Sequence, residues 1–410
     1  MMLPTPAETV GMSSERLSKI RTVFRREVAA DRMPGVVVMI SRRDALVYAE
    51  AIGFQNKEAG IPMKTDSIFR LLSLTKAFVT TAAMMLVEDG AIALNDPVSS
   101  VFPGFASMSV FTKGADGQPS TEPAKREMTI QDLLRHTAGL DVPEFPMTPE
   151  AIRGPYRESK VVREGAPIGE YRLLTPDQQV EALSRVTLSS HPGENWRYSV
   201  STELLGRVIE KISGSTLGAF LAERLFRPLQ MNDTGFFVPE AKWGRLAQPL
   251  GIDVTTGLPM PSMLDVTKQM PSESGSAGAV STAGDYLTFA RMLLNGGSLN
   301  GVRYLSPTTI RLMTSDHLDG MPMEPVSPSG LILGVEGYTF SLGFMVRRAS
   351  GVAAIPGSEG EYMWAGAGGT FSWNDPKEQL AVVMMAQTPN VIRVKYRHLI
   401  KQLVAQAIVE

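Results

Sequence analysis

The chain has 410 residues, 43% of them apolar and 20% charged, with a net charge of −2 and no cysteine. That length exceeds one ordinary core and predicts two subdomains. The near-neutral charge argues against a nucleic-acid footprint or a basic membrane patch, and the missing thiols exclude disulfides, thiolate catalysis and Cys-ligated metal.

The opening stretch, MMLPTPAETVGMSSERLSKIRTVF, lacks a basic segment followed by an apolar one, so no signal peptide is read. No window reaches the ~18 apolar residues of a membrane span. The expectation is a soluble, cytoplasmic protein. Leu17, Ile20, Phe24 and Val28 recur at helical spacing behind Ser13 and Ser14, a suitable N-cap. PGVVVMISRRDALVYAEAIGF reads as two strands joined at SRRDA. From Ser73 to about Glu88 the chain predicts a helix that is apolar on every side, and such a helix sits inside a protein; Gly90 is a suitable stop.

Residues 96–274 carry few strand signals. TIQDLLRHTAGL, TPDQQVEALSRV, STELLGRVIEKISG and TLGAFLAERLFRPL have helical patterns, while TKGADGQPSTEPAKRE and VPEFPMTPEAIRGPYRESKVVREGAPIGEY read as long loops. GDYLTFARMLLNGG is another helix with a glycine stop. Strands return in YTFSLGFMVRRA, EYMWAGAGGTFSWNDP and QLAVVMMAQ, and a last helix runs from about Val391 with Ile392, Tyr396, Leu399, Leu403 and Val404 on one face. RRDA and VRRAS read as solvated charge clusters. The pattern predicts an α/β (α+β) fold: residues 1–95 and 275–410 form one domain from both chain ends, residues 96–274 a mostly helical one, with a cleft between them.

Ser73 and Lys76 stand three apart within FRLLSLTKAFVT, so on a helix they share a face. A serine needs a base to act as a nucleophile. An apolar setting disfavours the charged ammonium, which makes the lysine a candidate proton acceptor. A paired structural lysine is the alternative. No G-x-S-x-G is present, so the nucleophile elbow of the α/β-hydrolases has no candidate. The four histidines, His136, His191, His317 and His398, show no metal spacing; His136 reads as a structural hydrogen-bonding residue.

Three further stretches bear on that choice. MTIQDLLRHTAGL, HPGENWRYSVSTELLGRVIEKISG and GSAGAVSTAGDYLTFARMLLNGG, in this order behind FRLLSLTK, resemble the signature segments of the serine β-lactamase and penicillin-binding-protein superfamily. Within it the chain is most similar to the family VIII carboxylesterases. The resemblance implies a β-lactamase/transpeptidase-like fold, with an antiparallel sheet flanked by helices. It implies Ser73 as acylated nucleophile, Lys76 as its proton partner and Tyr198 as second general base. The superfamily's Lys-Thr-Gly is replaced by Trp364-Ala365-Gly366, as in the esterases. The resemblance makes Trp364 and Gly366 substrate-binding and the backbone N–H groups of Ser73 and Ala367 the oxyanion donors. Val200 stands where the superfamily often has Asn. Both departures count against β-lactams and peptides and leave esters untouched. The implied activity is hydrolysis of short to medium carboxylic esters, without cofactor or metal. β-Lactamase, D-Ala-D-Ala peptidase, amidase or acyltransferase action on the same acyl-enzyme are the alternatives. The loops DVPEFPMTPEAIRGPYRESKVV and DGMPMEPVSPSGLILGVEGY are expected to overhang the site.

Overall fold

The computed structural model describes residues 5–145, 147–163, 165–167 and 169–410. Ser13 accepts the amide of Arg16 and starts helix α1 (Ser14–Ala29), whose Leu17, Ile20, Phe24 and Val28 are buried. Strands β1 (Gly35–Arg42) and β2 (Ala45–Asn56) follow as a hairpin. Its turn residues Arg43 and Asp44 have φ of 46° and 64°, the left-handed geometry that suits the twist of a tight hairpin. A short β3 (Ile61–Pro62) continues the meander.

The C-terminal half supplies β4 (Tyr338–Phe340), β5 (Met345–Arg347), β6 (Tyr362–Ala365), β7 (Phe371–Asp375) and β8 (Leu380–Ala386). Together they make one antiparallel eight-stranded sheet in the order β4-β5-β6-β7-β8-β1-β2-β3. The two chain ends meet where β1 pairs with β8, Val36 opposite Ala386. Every residue of β1 and β8 is buried, as expected of strands covered on both faces. Helix α4 (Ala283–Leu294) packs on β1, β7 and β8, while α1 packs on β2 and on the terminal helix α5 (Arg393–Ala405).

Between these ends lies helix α2 (Thr75–Glu88), in which every residue from Thr75 to Leu86 is buried. Phe78 meets Phe226 and Phe289 edge-to-face at 5.0 and 4.7 Å. Removing a ring packed like that costs about 3–5 kcal/mol. Helix α2 begins later than expected. Leu72–Leu74 form a 3₁₀ turn, and the α-helix starts at Thr75. Helix α3 (Ser201–Ser213) packs against α2.

The middle of the chain holds helices Ile130–Leu134, Glu150–Glu158, Pro176–Ser184 and Leu217–Leu221 beside α3. Two stretches expected to be loops are ordered. Ser109–Lys113 pairs with Pro119–Pro123 as a hairpin whose second strand is wholly exposed, so no apolar alternation marks it. Glu150–Glu158 is a helix despite Pro155, with Ile152 and Tyr156 buried. The terminal helix also differs. Tyr396 and Val404 of the expected face are buried and Ile392, Leu399 and Leu403 pack at its edge, but the fully buried face also holds Arg397, Ile400 and Lys401. Two arginines read as solvated are buried too. Arg42 donates to the carbonyls of Val10, Gly11 and Glu410, and Arg347 reaches Glu361. Among the described residues no helix is long and apolar enough to cross a membrane.

Candidate active site

Phe69 and Arg70 pair with Ser281 and Val280, which carries the chain to the mouth of α2. Leu72 then takes a φ of 47°, an unusual conformation for a branched side chain, and the 3₁₀ turn presents Ser73. Lys76 lies in the first turn of α2 and is 4% exposed. Its Nζ is 3.4 Å from Ser73 Oγ and donates to the carbonyl of Ser276 at 2.9 Å. It also sits 4.9 Å from the centre of the Tyr198 ring. Tyr198, three residues before α3, donates its hydroxyl to Ser73 Oγ at 2.7 Å. Side chains 125 positions apart thus converge on one oxygen. Among the described residues no carboxylate pairs with Lys76; a hydroxyl, a carbonyl and an aromatic face hold it.

The second layer fixes these groups. The Tyr198 ring is packed by His136 at 4.9 Å, Phe145 at 6.0 Å and Trp364 at 5.5 Å. His136 is buried, and its Nδ1 lies 3.1 Å from Ser199 Oγ. Burial first, then the Lys76 charge, pushes its imidazole well below the usual range, so it is neutral and cannot serve as a cation here. Glu203 on α3 is fully buried. It accepts the amide of Ser276 at 2.9 Å and the hydroxyl of Ser274. It therefore anchors the segment whose carbonyl holds Lys76. Neither Glu203 nor Ser276 was legible in the sequence, since one acts through a backbone amide and the other through its carbonyl.

Strand β6 ends beside Ser73. The hydroxyl of Thr370 donates to the carbonyl of Leu71 at 2.9 Å, and the amide of Gly366 to the carbonyl of Thr370 at 2.9 Å. A Cβ on Gly366 would lie 2.2 Å from the Leu71 oxygen, so only glycine lets the two backbones approach this closely. Ala365 and Ala367 face the cavity on this side. Trp364 points the other way along the strand. It is 2% exposed and packs behind Tyr198 and against Phe340 at 5.3 Å. Trp364 thus supports the tyrosine, and the alanines form the wall.

Ser73, Lys76 and Tyr198 open into a cavity of about 390 Å³. Val142, Phe145, Val200, Leu331 and Ile332 give it an apolar lining. The first of the two expected overhanging loops supplies Val142 and Phe145, the second Leu331 and Ile332; Pro146, in the first, lies outside the described residues, as do Glu164 and Ile168 beyond it. Glu144 also faces the cavity. It accepts the Tyr171 hydroxyl at 3.0 Å, and burial pushes its carboxyl up.

Comparison with known proteins places this arrangement. Protein Rv1367c of Mycobacterium tuberculosis is 33% identical over 366 residues, 88% of each chain. Esterase EstB of Burkholderia gladioli is 31% identical over 263 residues, 64% of this chain and 61% of that protein. The solved structure of EstCE1, described as a hydrolase with promiscuous acyltransferase activity, matches with a TM-score of 0.76 at 27% identity, covering 97% of this chain and 99% of the other. The Beta-lactamase family model matches residues 20–405. By that match, and by an antiparallel sheet built from both chain ends around a buried Ser-x-x-Lys helix, the chain belongs to the beta-lactamase family.

Proposed function

We propose that the protein is a serine hydrolase of carboxylic esters that works through an acyl-enzyme. The observation that carries the reading is the short contact from Tyr198 Oη to Ser73 Oγ, with Lys76 beside both. Ser73 attacks the ester carbonyl as its proton passes to Tyr198 in the phenolate form, which the Lys76 ammonium stabilises, and leaves a neutral phenol. The amides of Ser73 and Ala367 receive the oxyanion, and each such donor is typically worth about 10²–10³ in rate. Collapse of the intermediate breaks the ester C–O bond, and Tyr198 returns the proton to the leaving alkoxide. Water then attacks the acyl-enzyme by the same route and frees Ser73.

The apolar lining, the absence of a lysine at position 364 and Val200 at the superfamily's Asn position favour small esters with short to medium acyl groups. The cavity is read as the cleft between a domain of residues 1–95 and 275–410 and a helical domain of residues 96–274. A second reading, acyl transfer to an alcohol in place of water, uses the same acyl-enzyme and is favoured by the similarity to EstCE1. The test is initial-rate hydrolysis of p-nitrophenyl butyrate by wild type and by folded Ser73→Ala. Loss of activity in the variant supports the reading; equal rates refute it. Added methanol that raises p-nitrophenol release and yields methyl butyrate favours transfer.

A further inference from the structure

Ser73, Lys76 and Tyr198 share their cavity with a carboxyl that the proposed reaction leaves unused, that of Glu144. The side chain is half-buried. Its Oε2 accepts the Tyr171 hydroxyl at 3.0 Å. Burial, ahead of the Glu144 charge, pushes the Tyr171 phenol well above its usual range, so it keeps its proton and stays a donor. Among the described residues no other side chain donates to Glu144 and no cation pairs with it. Two nearby carboxylates along the chain are provided for. Asp141 pairs with Arg197 at 2.5 Å and Glu170 with Arg172 at 2.6 Å. Glu144 has the phenol alone, and burial outweighs that bond and the Lys76 charge and pushes its carboxyl up.

The Oε1 atom is therefore an acceptor with spare capacity in an apolar setting, since Val142 and Phe145 line the cavity within two residues of it. An alkyl chain laid against that surface strips water from the carboxyl and returns nothing. A substrate donor at the same place replaces the water. A site built to hydrogen-bond its substrate rejects the analogue that lacks the donor more strongly than an apolar pocket rejects a changed methylene.

The other charges of the cavity decide the kind of donor. Lys76, Arg393 and Arg397 also line it. Lys76 donates to the Ser276 carbonyl, Arg393 to those of Pro389 and Asn390, and Arg397 to those of Ile332 and Gly366. Their hydrogen bonds go to the backbone, but their charge remains and repels an ammonium. A hydroxyl carries no charge. It donates to a carboxylate and accepts from a protonated carboxyl, so it fits Glu144 in either state. We propose that Glu144 determines specificity by hydrogen-bonding a hydroxyl of the substrate, which is an ester bearing a free hydroxyl group. The inference rests on the ester-hydrolase reading above.

The test compares kcat/KM within pairs of esters in which a methyl group replaces the hydroxyl. The acyl part is probed with p-nitrophenyl 3-hydroxybutyrate against 3-methylbutyrate, and with p-nitrophenyl 6-hydroxyhexanoate against heptanoate. The alcohol part is probed with 4-hydroxybutyl butyrate against pentyl butyrate. The expected result is a hydroxyl-over-methyl preference of roughly tenfold or more in at least one pair. That ratio falls to one or below in Glu144→Leu and is partly kept in Glu144→Gln, whose amide still binds a hydroxyl. If Glu144→Leu does not fold, its double variant with Tyr171→Phe, which strands no phenol, takes its place. A wild type that hydrolyses the methyl members through Ser73 with no hydroxyl preference in any pair refutes the assignment and leaves the esterase reading standing. So does a preference that survives in folded Glu144→Leu. If no ester turns over, the esterase reading falls, and binding decides the role of Glu144. At millimolar concentration 6-hydroxyhexanamide must then raise the melting temperature of wild type more than heptanamide does, and lose that advantage in Glu144→Leu, or the assignment is refuted as well.

Discussion

Two buried lysines divide the molecule. Lys401, on α5, is 2% exposed and pairs with Glu361, which is fully buried, at 2.7 Å. Its ammonium lies 4.7 Å from the Trp373 ring centre, and Glu361 also meets Arg347 and the Tyr338 hydroxyl. Lys76 is nearly as buried and likewise sits over an aromatic ring, but its partners are neutral. The two sites differ by one carboxylate. The paired lysine fastens α5 to the sheet, and burial, opposed by Glu361, pushes its pKa down. A lysine with no carboxylate partner is free to stabilise negative charge beside it, such as the Tyr198 phenolate that takes the serine proton. The same residue type at similar burial is a brace in one place and a proton partner in the other.

The comparison breaks first on rate. Ser73→Ala should lower kcat/KM for p-nitrophenyl butyrate by at least about 10⁴-fold while the protein melts normally. A smaller loss would mean that Lys76 is a tolerated core lysine. Lys76→Met and Tyr198→Phe should each lose about 10²–10⁴-fold, the range for a positioned acid–base group. Lys76→Met should cost little stability, because Lys76 forms no ion pair and its removal strands no partner carboxylate. Circular dichroism melts alongside the rates test that asymmetry.

Lys401→Met should do the reverse. It leaves Glu361 with Arg347 and the Tyr338 hydroxyl and should cost about 3 kcal/mol of folding stability, read by urea unfolding. The activity of the folded fraction should change far less than in Lys76→Met. The double variant with Glu361→Gln should recover part of the loss, since the stranded carboxylate is gone.

Why could one lysine be read from the sequence and the other not? Lys76 stands in a stretch apolar on all sides, three residues after a serine, and motif resemblance added Tyr198. Lys401 lies in a helix of mixed polarity, where the apolar stripe through Tyr396, Leu399, Leu403 and Val404 gave only part of the buried face. Arg397 was hidden for the same reason, and Arg42 and Arg347 passed for surface charge. The strands of both chain ends were legible because β1 and β8 are continuous apolar runs. The hairpin at Ser109–Lys113 was not, because its partner strand is exposed and contains Pro119 and Pro123. Trp364 carried a motif position, but strand alternation gave the cavity wall to Ala365 and Ala367. Periodicity reports burial of apolar side chains; it is silent on buried charge and on work done by backbone atoms such as the Ser276 carbonyl.

A third lysine sharpens the contrast at its weak end. Lys395 is half-exposed and lies 3.3 Å from Glu27, a buried carboxylate on α1 already held by Arg32 at 2.7 Å. Exposed pairs contribute little, so Lys395→Met should cost less than about 1 kcal/mol. Glu27 itself is more telling. The Arg32 hydrogen bonds, opposed by burial and helped by Lys395, hold its pKa down to about 2 from a usual 4.5. A carboxyl depressed on folding stabilises the protein above its unfolded pKa, and that stability is lost as pH falls through the folded one. Between about pH 4.5 and 2, wild type should therefore lose stability more steeply than Glu27→Gln, by on the order of 2 kcal/mol. Lys395→Met should follow the wild-type curve, because Arg32 remains. If Lys395→Met instead matched Glu27→Gln, exposure would not be what separates a weak lysine pair from a strong one here, and the distinction drawn between Lys76 and Lys401 would need a cause other than burial and partner charge.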